Sequence, residues 1–417
     1  MERAWLRWLV VALFTLLVPL QVGAQATGTV KLGSLNDTTG PTSDVGRETA
    51  LGIREAVAYL NDAGGINGKT IRLIQYDYGY RIPEALTTYK RFRDFDKVVA
   101  VLGWGTGDTE ALAPTVARDQ LPYLSSSWSN FLTDPKKTPF NFVYGPDYSN
   151  YARAGLQAWF DEVWMKDARY AADRGRGVKP RLVAFYAFPV PYASAPIRAL
   201  KEQATILGFE VGPDQDIPLT ALDVKSQVLA AKEFRPHVAW HGNIPMAVST
   251  TLRDAHALAL GADHVINSWG CDENLIRIAG PASEGAICNL PFVLWGESAS
   301  LMPKIVGYAT RINPGLPAAR RTIRTVFAWQ QVLMMAEAMR RADKAGNLTG
   351  PGIRDAFYTF KDWDSGLGAP PFTITGEDHR VTGVFPVRVI KNGKLQALAR
   401  VDLRSKYGDR WPRWLGN

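Results

Sequence analysis

The chain has 417 residues, of which 46% are hydrophobic and 21% are charged; this length suits two ordinary domains, and the composition excludes a low-complexity or disordered protein. The formal net charge of +8 comes from basic residues scattered along the sequence, so it does not point to a nucleic-acid partner. The sequence has two cysteines, which are too few for a metal site built from thiolates.

The N-terminal residues form the pattern of a secretory signal peptide. Arg3 and Arg7 give a positive start, an apolar run covers residues 8–22, and small residues follow it. The apolar run is too short for a secure membrane span, so a retained membrane anchor is the less favoured alternative. We therefore predict that residues 1–26 are a cleaved signal peptide and that the mature chain begins within residues 24–28.

The next segment predicts a strand followed by a helix. An alternating strand covers residues 30–35, and a loop rich in Gly, Thr and Pro connects it to a helix over residues 47–60. The apolar face of this helix is formed by Ala50, Ile53, Val57 and Leu60. The helix ends before Gly64 and Gly65, since helices commonly end where a left-handed residue is needed.

Strands and helices continue to alternate along the chain. In chain order the predicted elements are a strand at 70–77, a helix at 83–95, strands at 98–102 and 122–125 with a helix at 109–119 between them, a helix at 149–164, a strand at 181–186, a helix at 194–207, a strand at 211, a helix at 224–232, a strand at 237–241, a helix at 246–260 and strands at 265–269 and 285–290. Residues 385–390 and the segment from Leu395 form a predicted β-hairpin with an Asn-Gly turn.

This alternation is typical of parallel α/β sheets, and the length fits two of them, so we predict an α/β fold with two doubly wound parallel-sheet lobes. Doubly wound sheets bind ligands at the carboxyl ends of their strands. The candidate site therefore lies in the loops that follow strands. These loops cover residues 36–46, 103–109, 125–129, 187–192, 241–245 and 269–273.

An ordered set of short motifs resembles one protein family. The most specific motif is Asn61-x₂-Gly-Gly-Ile-x-Gly68. The other motifs, in order, are Gly40-Pro41, Gly46, Gly52, Ala56, Asp77, Val101-Leu102-Gly103, Ala113-Pro114, Pro122-Tyr123-Leu124-Ser125, Ala279-Gly280 and Glu284-Gly285. Over essentially the whole mature chain, the sequence resembles the branched-chain amino acid (leucine/isoleucine/valine) binding proteins of ABC transporters.

The resemblance implies a type I periplasmic binding fold, with two lobes joined by a three-crossover hinge and a ligand between them. Lobe one would take residues 27–146 and 291–372, and lobe two residues 147–290 and 373–417. The implied function is periplasmic delivery of a small organic solute, an amino acid, an amide or an aromatic carboxylate, to an ABC importer. The implied partners are that solute and the permease subunits; the protein would be a monomer without catalytic activity, cofactor, metal or nucleic-acid partner.

Family members hold the carboxylate of the ligand with hydroxyls and backbone N–H groups of lobe one. By this resemblance Thr106, Ser127 and Ser129 are candidate ligands. Helix N-termini suit such a role because their free N–H groups favour an anion. Each of the three residues has an alternative interpretation as a helix cap, since Ser and Thr favour that position.

Family members that bind amino acids hold the ammonium with acids of lobe two. Asp147 aligns with one of these acids, but it also fits a cap for the helix that begins near Ser149. The second acid has no clear counterpart, and Asp272 is the candidate substitute. This half-present acid pair weakens the inference to an α-amino acid. We expect instead a small carboxylate or amide with a bulky apolar or aromatic part, ahead of leucine or valine.

Aromatic side chains are frequent in the strand-end loops. We predict Trp104, Trp128 and Tyr192 as walls of the ligand site, with packing in the core as the alternative for each. Arg324 falls near a position where the family has a cleft aromatic residue. A carboxylate clamp is one interpretation of Arg324, and a solvated helix face is the favoured one.

Other functions have weaker support. Residues 103–108 resemble a dinucleotide-binding fingerprint, but Asp108 occupies its third glycine position. The sequence has neither a G-x-S-x-G nor an H-E-x-x-H motif. His237 and His241 lie on one predicted strand, too far apart to share a zinc ion without other ligands. A secreted hydrolase and a ligand-sensing module of a regulatory system remain the alternatives.

Cys271 and Cys288 form the one cysteine pair of an exported chain, so they are disulfide candidates. Two buried free thiols are nearly as well supported by the sequence. The predicted strands that carry or precede these residues are neighbours along the chain, and neighbouring strands lie about 4.8 Å apart.

Overall fold

The computed structural model describes residues 28–417, so the predicted signal peptide and its cleavage site lie outside the described residues. The strands are β1 (Thr29–Asn36), β2 (Thr70–Asp77), β3 (Ala100–Gly103), β4 (Tyr123–Ser125), β5 (Asn141–Val143), β6 (Arg181–Tyr186), β7 (Glu210–Val211), β8 (Gln215–Asp216), β9 (Val238–His241), β10 (Asp263–Ile266), β11 (Ile287–Asn289), β12 (Val384–Lys391) and β13 (Lys394–Asp402).

The helices of the same residues are α1 (Ser43–Asp62), α2 (Ile82–Arg91), α3 (Thr106–Asp119), α4 (Tyr148–Trp159), α5 (Ala171–Gly175), α6 (Pro191–Ser194), α7 (Ile197–Ile206), α8 (Lys225–Glu233), α9 (Pro245–Ala257), α10 (Glu273–Ala279), α11 (Met302–Ile312), α12 (Ile323–Lys344), α13 (Gly350–Phe357) and α14 (Leu403–Lys406). A π-helical turn extends α2 over Phe92–Asp96, and another extends α4 over Phe160–Trp164.

The first sheet has the strand order β2-β1-β3-β4-β5, and all of its strand pairs are parallel. Strands β3, β4 and β5 are buried along their whole length, as expected of parallel strands covered by helices on both faces. Helix α12 packs against α1 and β4, so the C-terminal half of the chain contributes to this sheet's helical layer.

The second sheet has the order β13-β12-β11-β10-β9-β6-β7, with β8 also paired to β6. Its pairs from β6 to β11 are parallel, whereas β12 is antiparallel to both β11 and β13. The predicted hairpin therefore forms an antiparallel edge on a parallel sheet. Its turn residues Asn392 and Gly393 have positive φ angles of 53° and 66°, which an Asn-Gly hairpin turn requires.

The chain passes three times between the two halves of the molecule. It leaves the first sheet after β5 and enters α4, which packs on β10 to β13 of the second sheet. After β11 it returns with α11 and α12, which pack on α1, and it then crosses again to β12. This topology confirms the predicted fold class; the lobe limits given above stay a prediction.

Several helix boundaries differ from the sequence prediction. Helix α1 begins at Ser43 because the carboxylate of Asp37 accepts hydrogen bonds from the N–H groups of Gly40 and Thr42, which folds the preceding loop tightly. The helix predicted over 194–207 begins only at Ile197, as α7, and a turn at Pro196 separates it from the short preceding helix α6. Proline lacks the N–H that a continuous helix would use there.

Cys271 and Cys288 form a disulfide in the structure, with their Cα atoms 5.9 Å apart. The disulfide ties the loop after β10 to β11. Because it closes a segment of 17 residues, we expect reduction to lower the free energy of unfolding by about 3 kcal/mol. Urea unfolding with and without reductant measures this loss. Titration of two free thiols in denatured, unreduced protein would contradict the bond.

Candidate ligand-binding site

A cavity lies where the carboxyl ends of the two sheets face each other. The cavity is partly open, and its empty volume of about 290 Å³ includes solvent at the opening. Its lining residues are Thr42, Val45, Tyr80, Trp104, Gly105, Thr106, Ser126, Tyr148, Tyr192, Ile244 and Trp269. The first seven belong to the loops and helices of the first sheet, and the last three follow strands of the second sheet. None of these lining residues carries a charged side chain.

Aromatic side chains from the two halves meet around this main cavity. The rings of Trp104 and Trp269 are in edge contact with centroids 5.3 Å apart, and those of Tyr148 and Tyr192 are 5.9 Å apart. The indole Nε1 of Trp104 donates to the hydroxyl of Thr42 at 2.9 Å, which fixes the orientation of the ring. Since side chains after strands of both sheets touch, the two halves are in a closed arrangement.

The hydroxyl groups predicted as ligands have different positions. Thr106 is the first residue of α3 and lines the main cavity, and its hydroxyl shares a 2.8 Å hydrogen bond with that of Ser127. Ser127 lies behind Thr106 rather than in the cavity lining. Ser129 is directed elsewhere, because its hydroxyl donates to Oε1 of Glu110 at 2.6 Å.

The two predicted acids do not line the cavity. The carboxylate of Asp147 caps α4 by accepting from the backbone N–H of Asn150, and it also accepts from the side-chain amides of Asn150 and Asn130. Burial raises the pKa of Asp147. Asp272 caps α10 by accepting from the N–H of Leu275 at 3.0 Å. Asp147 therefore has the capping role that was its alternative interpretation. Neither Asp147 nor Asp272 lines the cavity available to a ligand.

Arg324 is buried at 1% exposure, so the solvated helix face predicted for it is wrong. Its guanidinium donates to the backbone carbonyls of Ser268, Trp269 and Cys271 at 2.9–3.1 Å, and its Nε lies 3.2 Å from the carboxylate of Asp272. Arg324 thus connects α12, which packs on the first half, to the loop after β10. It holds the loop that carries Trp269.

The three predicted aromatic walls divide into two groups. Trp104 and Tyr192 line the main cavity. Trp128 is fully buried behind Trp269, with the two ring centroids 5.7 Å apart, and it also packs on Phe327 at 5.2 Å. Trp128 therefore packs in the core, which was its alternative interpretation, and does not line the cavity.

The sequence of this chain also matches a known family over most of its length. The profile of the family described as "Periplasmic binding protein" covers residues 29–394. The chain belongs to the periplasmic binding protein family.

Known structures support the family assignment of this binding protein. It shares 28% identity and a TM-score of 0.82 with the ABC transporter substrate binding protein from Aeropyrum pernix, over 93% of this chain and 99% of that one. A branched chain amino acid ABC transporter protein from Thermus thermophilus with bound valine has a TM-score of 0.81 at 19% identity, over 91% and 99% of the two chains. At that identity the similarity concerns the fold alone.

One curated relative is an amino acid binding protein of Pseudomonas aeruginosa, which is 32% identical over 82 residues. That match spans 20% of this chain and 22% of the relative, so it covers about a fifth of the relative's length. Together with the family profile, these similarities confirm the predicted resemblance.

Several cavity residues of this binding protein were not predicted as site residues. Thr42 and Ile244 lie in strand-end loops that the sequence indicated as a whole. Tyr80 has a φ angle of 60°, which is unusual for a residue with a side chain, and it follows β2. Tyr148 opens α4 at the first crossing between the halves. No sequence motif marks these residues, so only their positions after strands could have indicated them.

The glycines of the dinucleotide-like segment have a packing explanation. A Cβ at Gly103 would lie 1.9 Å from the ring of Tyr123, and one at Gly105 would lie 2.2 Å from Oδ1 of Asp108. Close packing alone therefore explains glycine at both positions, and no bound nucleotide is needed to account for them. Within residues 28–417, no group of three His, Cys, Asp or Glu residues could hold a metal ion. None of the helices in the same residues combines the length and apolar character that a membrane span requires.

Asp108 is a buried acid directly beneath the site. Its carboxyl accepts from the hydroxyl of Tyr78 at 2.8 Å, and burial raises its pKa to about 7. Because this pKa lies above the unfolded value of 3.8, the folded protein retains the proton longer, and Asp108 lowers stability as pH rises from about 4 to 7.

Asp108→Asn cannot titrate and can still accept from Tyr78. Since one pKa unit corresponds to about 1.4 kcal/mol, we expect the stability of Asp108→Asn relative to the wild type to increase by about 2–3 kcal/mol between pH 5 and pH 8. Urea unfolding of both proteins at the two pH values measures this difference. Parallel stability changes in the two proteins would contradict a protonated Asp108.

Proposed function

We propose that this protein is an exported periplasmic solute-binding protein that closes around one small organic solute and delivers it to an ABC-type importer. The observation that carries the proposal is the uncharged main cavity walled by side chains from both halves of the molecule. A solute there contacts both halves at once. It therefore favours the closed arrangement by its differential affinity, without any covalent step.

The lining of the main cavity indicates the class of solute. An α-amino acid brings an ammonium, and burying this positive charge without a partner is costly. A carboxylate differs, because it can lie at the N-terminus of α3, which begins at Thr106 and favours an anion. No carboxylate lines the cavity, and Asp147 and Asp272 are occupied elsewhere. We infer a small carboxylate or amide with a bulky apolar or aromatic body, ahead of leucine or valine. The rings of Trp104, Tyr192 and Trp269 would cover the body of the solute, and the hydroxyl of Thr106 would bind its polar end.

Delivery follows from the same closure. The closed arrangement brings surfaces of both halves together, and a permease that recognises this joint surface would distinguish loaded from empty protein. The mature protein would act as a monomer without a cofactor. The family membership supports this role.

A thermal-shift screen of purified mature protein tests the proposed solute class. The panel would contain aromatic carboxylates, the corresponding amides, leucine and valine. A solute present at 100 times its dissociation constant stabilises the folded state by about 2.7 kcal/mol, so a true ligand gives a clear shift. We expect the largest shift from an aromatic carboxylate or amide. The largest shift with leucine or valine, or no shift with any member of the panel, would contradict the proposal.

The hydroxyl of Thr106 gives a sharper test with the best solute of the screen. Removing a buried hydrogen-bonding partner costs about 1–3 kcal/mol, so Thr106→Ala should weaken binding about tenfold or more in calorimetry. Ser129→Ala is the matched control, because its hydroxyl donates to Glu110 and lies outside the cavity lining. Equal affinities for wild type and Thr106→Ala would show that the solute does not contact this hydroxyl.

A further inference from the structure

A buried acid lies behind the wall of the main cavity, at the start of α3. Asp108 is the third residue of this helix, and its side chain is 2% exposed. Gly105, the residue before the helix, lines the main cavity. A Cβ on Gly105 would lie 2.2 Å from Oδ1 of Asp108, so the carboxyl packs directly against this glycine. At this point the wall between the carboxyl of Asp108 and the main cavity is the backbone of Gly105.

The groups around this carboxyl are tyrosines and one further acid. The hydroxyl of Tyr78 donates to Oδ1, whereas Oδ2 of Asp108 has no hydrogen-bond partner within residues 28–417. Burial and the nearby charge of Asp108 raise the pKa of both Tyr80 and Tyr123. Burial, and in smaller part the charge of Asp37, raise the pKa of Asp108 to about 7, and none of the groups that shift it is a cation. An ionised Asp108 would therefore lack a counter-charge.

A solute carboxylate and an ionised Asp108 would require the same end of α3. The free N–H groups of the first turn of a helix favour an anion. Thr106, which lines the main cavity, opens this turn, and Asp108 belongs to it. Two like charges within about one helical turn of each other repel strongly where solvent does not screen them. The neutral form of Asp108 removes this repulsion and leaves the helix end to the solute.

We propose, on the basis of the proposed function, that the protein binds a carboxylate solute tightly only while Asp108 is neutral, so that binding of the anion takes up a proton from solvent at Asp108. A neutral amide needs no such proton. Asp108 is thus a specificity-determining residue, because the preference for an acid over its amide increases as the pH falls. Above neutral pH the protein releases the anion more readily.

The matched probes are phenylacetate and phenylacetamide, which carry the same ring and differ in charge. Phenylacetate stays ionised at pH 6 and at pH 8, because carboxylic acids titrate near pH 4. With a pKa of about 7, Asp108 is about 90% neutral at pH 6 and about 10% neutral at pH 8. In calorimetry with the wild type, we therefore expect the affinity for phenylacetate to fall about tenfold from pH 6 to pH 8. The affinity for phenylacetamide should change by about twofold or less.

Two further measurements connect this loss to Asp108. The variant Asp108→Asn cannot titrate and can still accept from Tyr78, so its affinity for phenylacetate should change by about twofold or less between the two pH values. Calorimetry of the wild type in two buffers with different ionisation enthalpies counts the protons taken up. We expect about 0.9 proton per bound phenylacetate at pH 8 and about zero per bound phenylacetamide. This count needs no variant.

Glu273→Gln is the matched control. Burial raises the pKa of Glu273 to about 7 as well, but this residue does not line the main cavity. Its carboxylate accepts from the backbone N–H groups of Ile323 and Trp295, where the two halves meet. A titration there acts through closure and changes the affinities for the acid and the amide alike. Glu273→Gln should therefore keep the tenfold loss that is specific to phenylacetate.

Three results would overturn the role of Asp108 and leave the proposed function intact. They are an equal pH dependence for the two probes, no proton uptake with phenylacetate at pH 8, and a tenfold loss that survives in Asp108→Asn. Binding of phenylacetamide alone would overturn it in the same way. Binding of neither probe at either pH would contradict both proposals.

Discussion

Replacing Arg324 with methionine is expected to lower the free energy of unfolding by about 3–5 kcal/mol, because removing one member of a buried ion pair leaves the other charge uncompensated. In this protein the charge left without its partner is the carboxylate of Asp272, whose side chain is fully buried. The variant also leaves the carbonyls of Ser268, Trp269 and Cys271 without their donor. Urea unfolding of the variant and the wild type measures the loss.

Two further variants separate this explanation from a general effect of losing an arginine. Arg320→Met, in the exposed turn before α12, should change stability by about 0.5 kcal/mol or less. The double variant Arg324→Met/Asp272→Asn removes both charges, so it should be less destabilised than the sum of its single variants. A loss for Arg324→Met as small as that for Arg320→Met would contradict the role of Arg324 in holding the loop after β10.

Replacing Trp269 with alanine is expected to weaken solute binding about 100-fold, since truncating a buried tryptophan removes about 3 kcal/mol or more of contact. Trp269 lines the main cavity from the second half and touches Trp104 of the first half. Its loss therefore removes a wall of the site and a contact of the closed arrangement together. Calorimetry with the best solute of the screen measures the change.

The control for this variant is Trp363→Ala. Trp363 packs with Phe360 and Phe372 and does not line the main cavity. The variant Trp363→Ala should bind the solute like the wild type, and circular dichroism at the assay temperature shows whether both variants are folded. An affinity of Trp269→Ala within about threefold of the wild type would show that the solute does not lie against this ring.

Much of the fold could be predicted from the sequence because the apolar residues of most strands and helices recur with a clear period. The alternation of strands and helices gave both parallel sheets, and Asn392-Gly393 gave the antiparallel hairpin. Helices α10 to α13 were not assigned. Helix α12 shows the reason, since it is buried around most of its circumference and lacks the one-sided apolar pattern of a surface helix. Strands β5 and β8, which have three and two residues, were also not predicted.

The candidate site was predicted less completely. Position after a strand indicated the loops of Trp104, Thr106 and Tyr192, and these three residues line the main cavity. The same rule could not separate Asp147, whose carboxylate caps a helix, from an acid that faces a ligand, because both roles place an acid between a strand and a helix. Arg324 was misjudged because its partners lie more than 50 residues away in the sequence, in a loop that only the folded chain brings next to α12.

The claim that these two halves close around one solute is tested most directly by a crystal structure of the mature protein with the best solute of the screen. We predict one solute molecule in the main cavity, between Trp104 and Trp269, with its polar end at the hydroxyl of Thr106. A solute bound outside this cavity, or a structure in which only one of the two halves contacts it, would contradict the account.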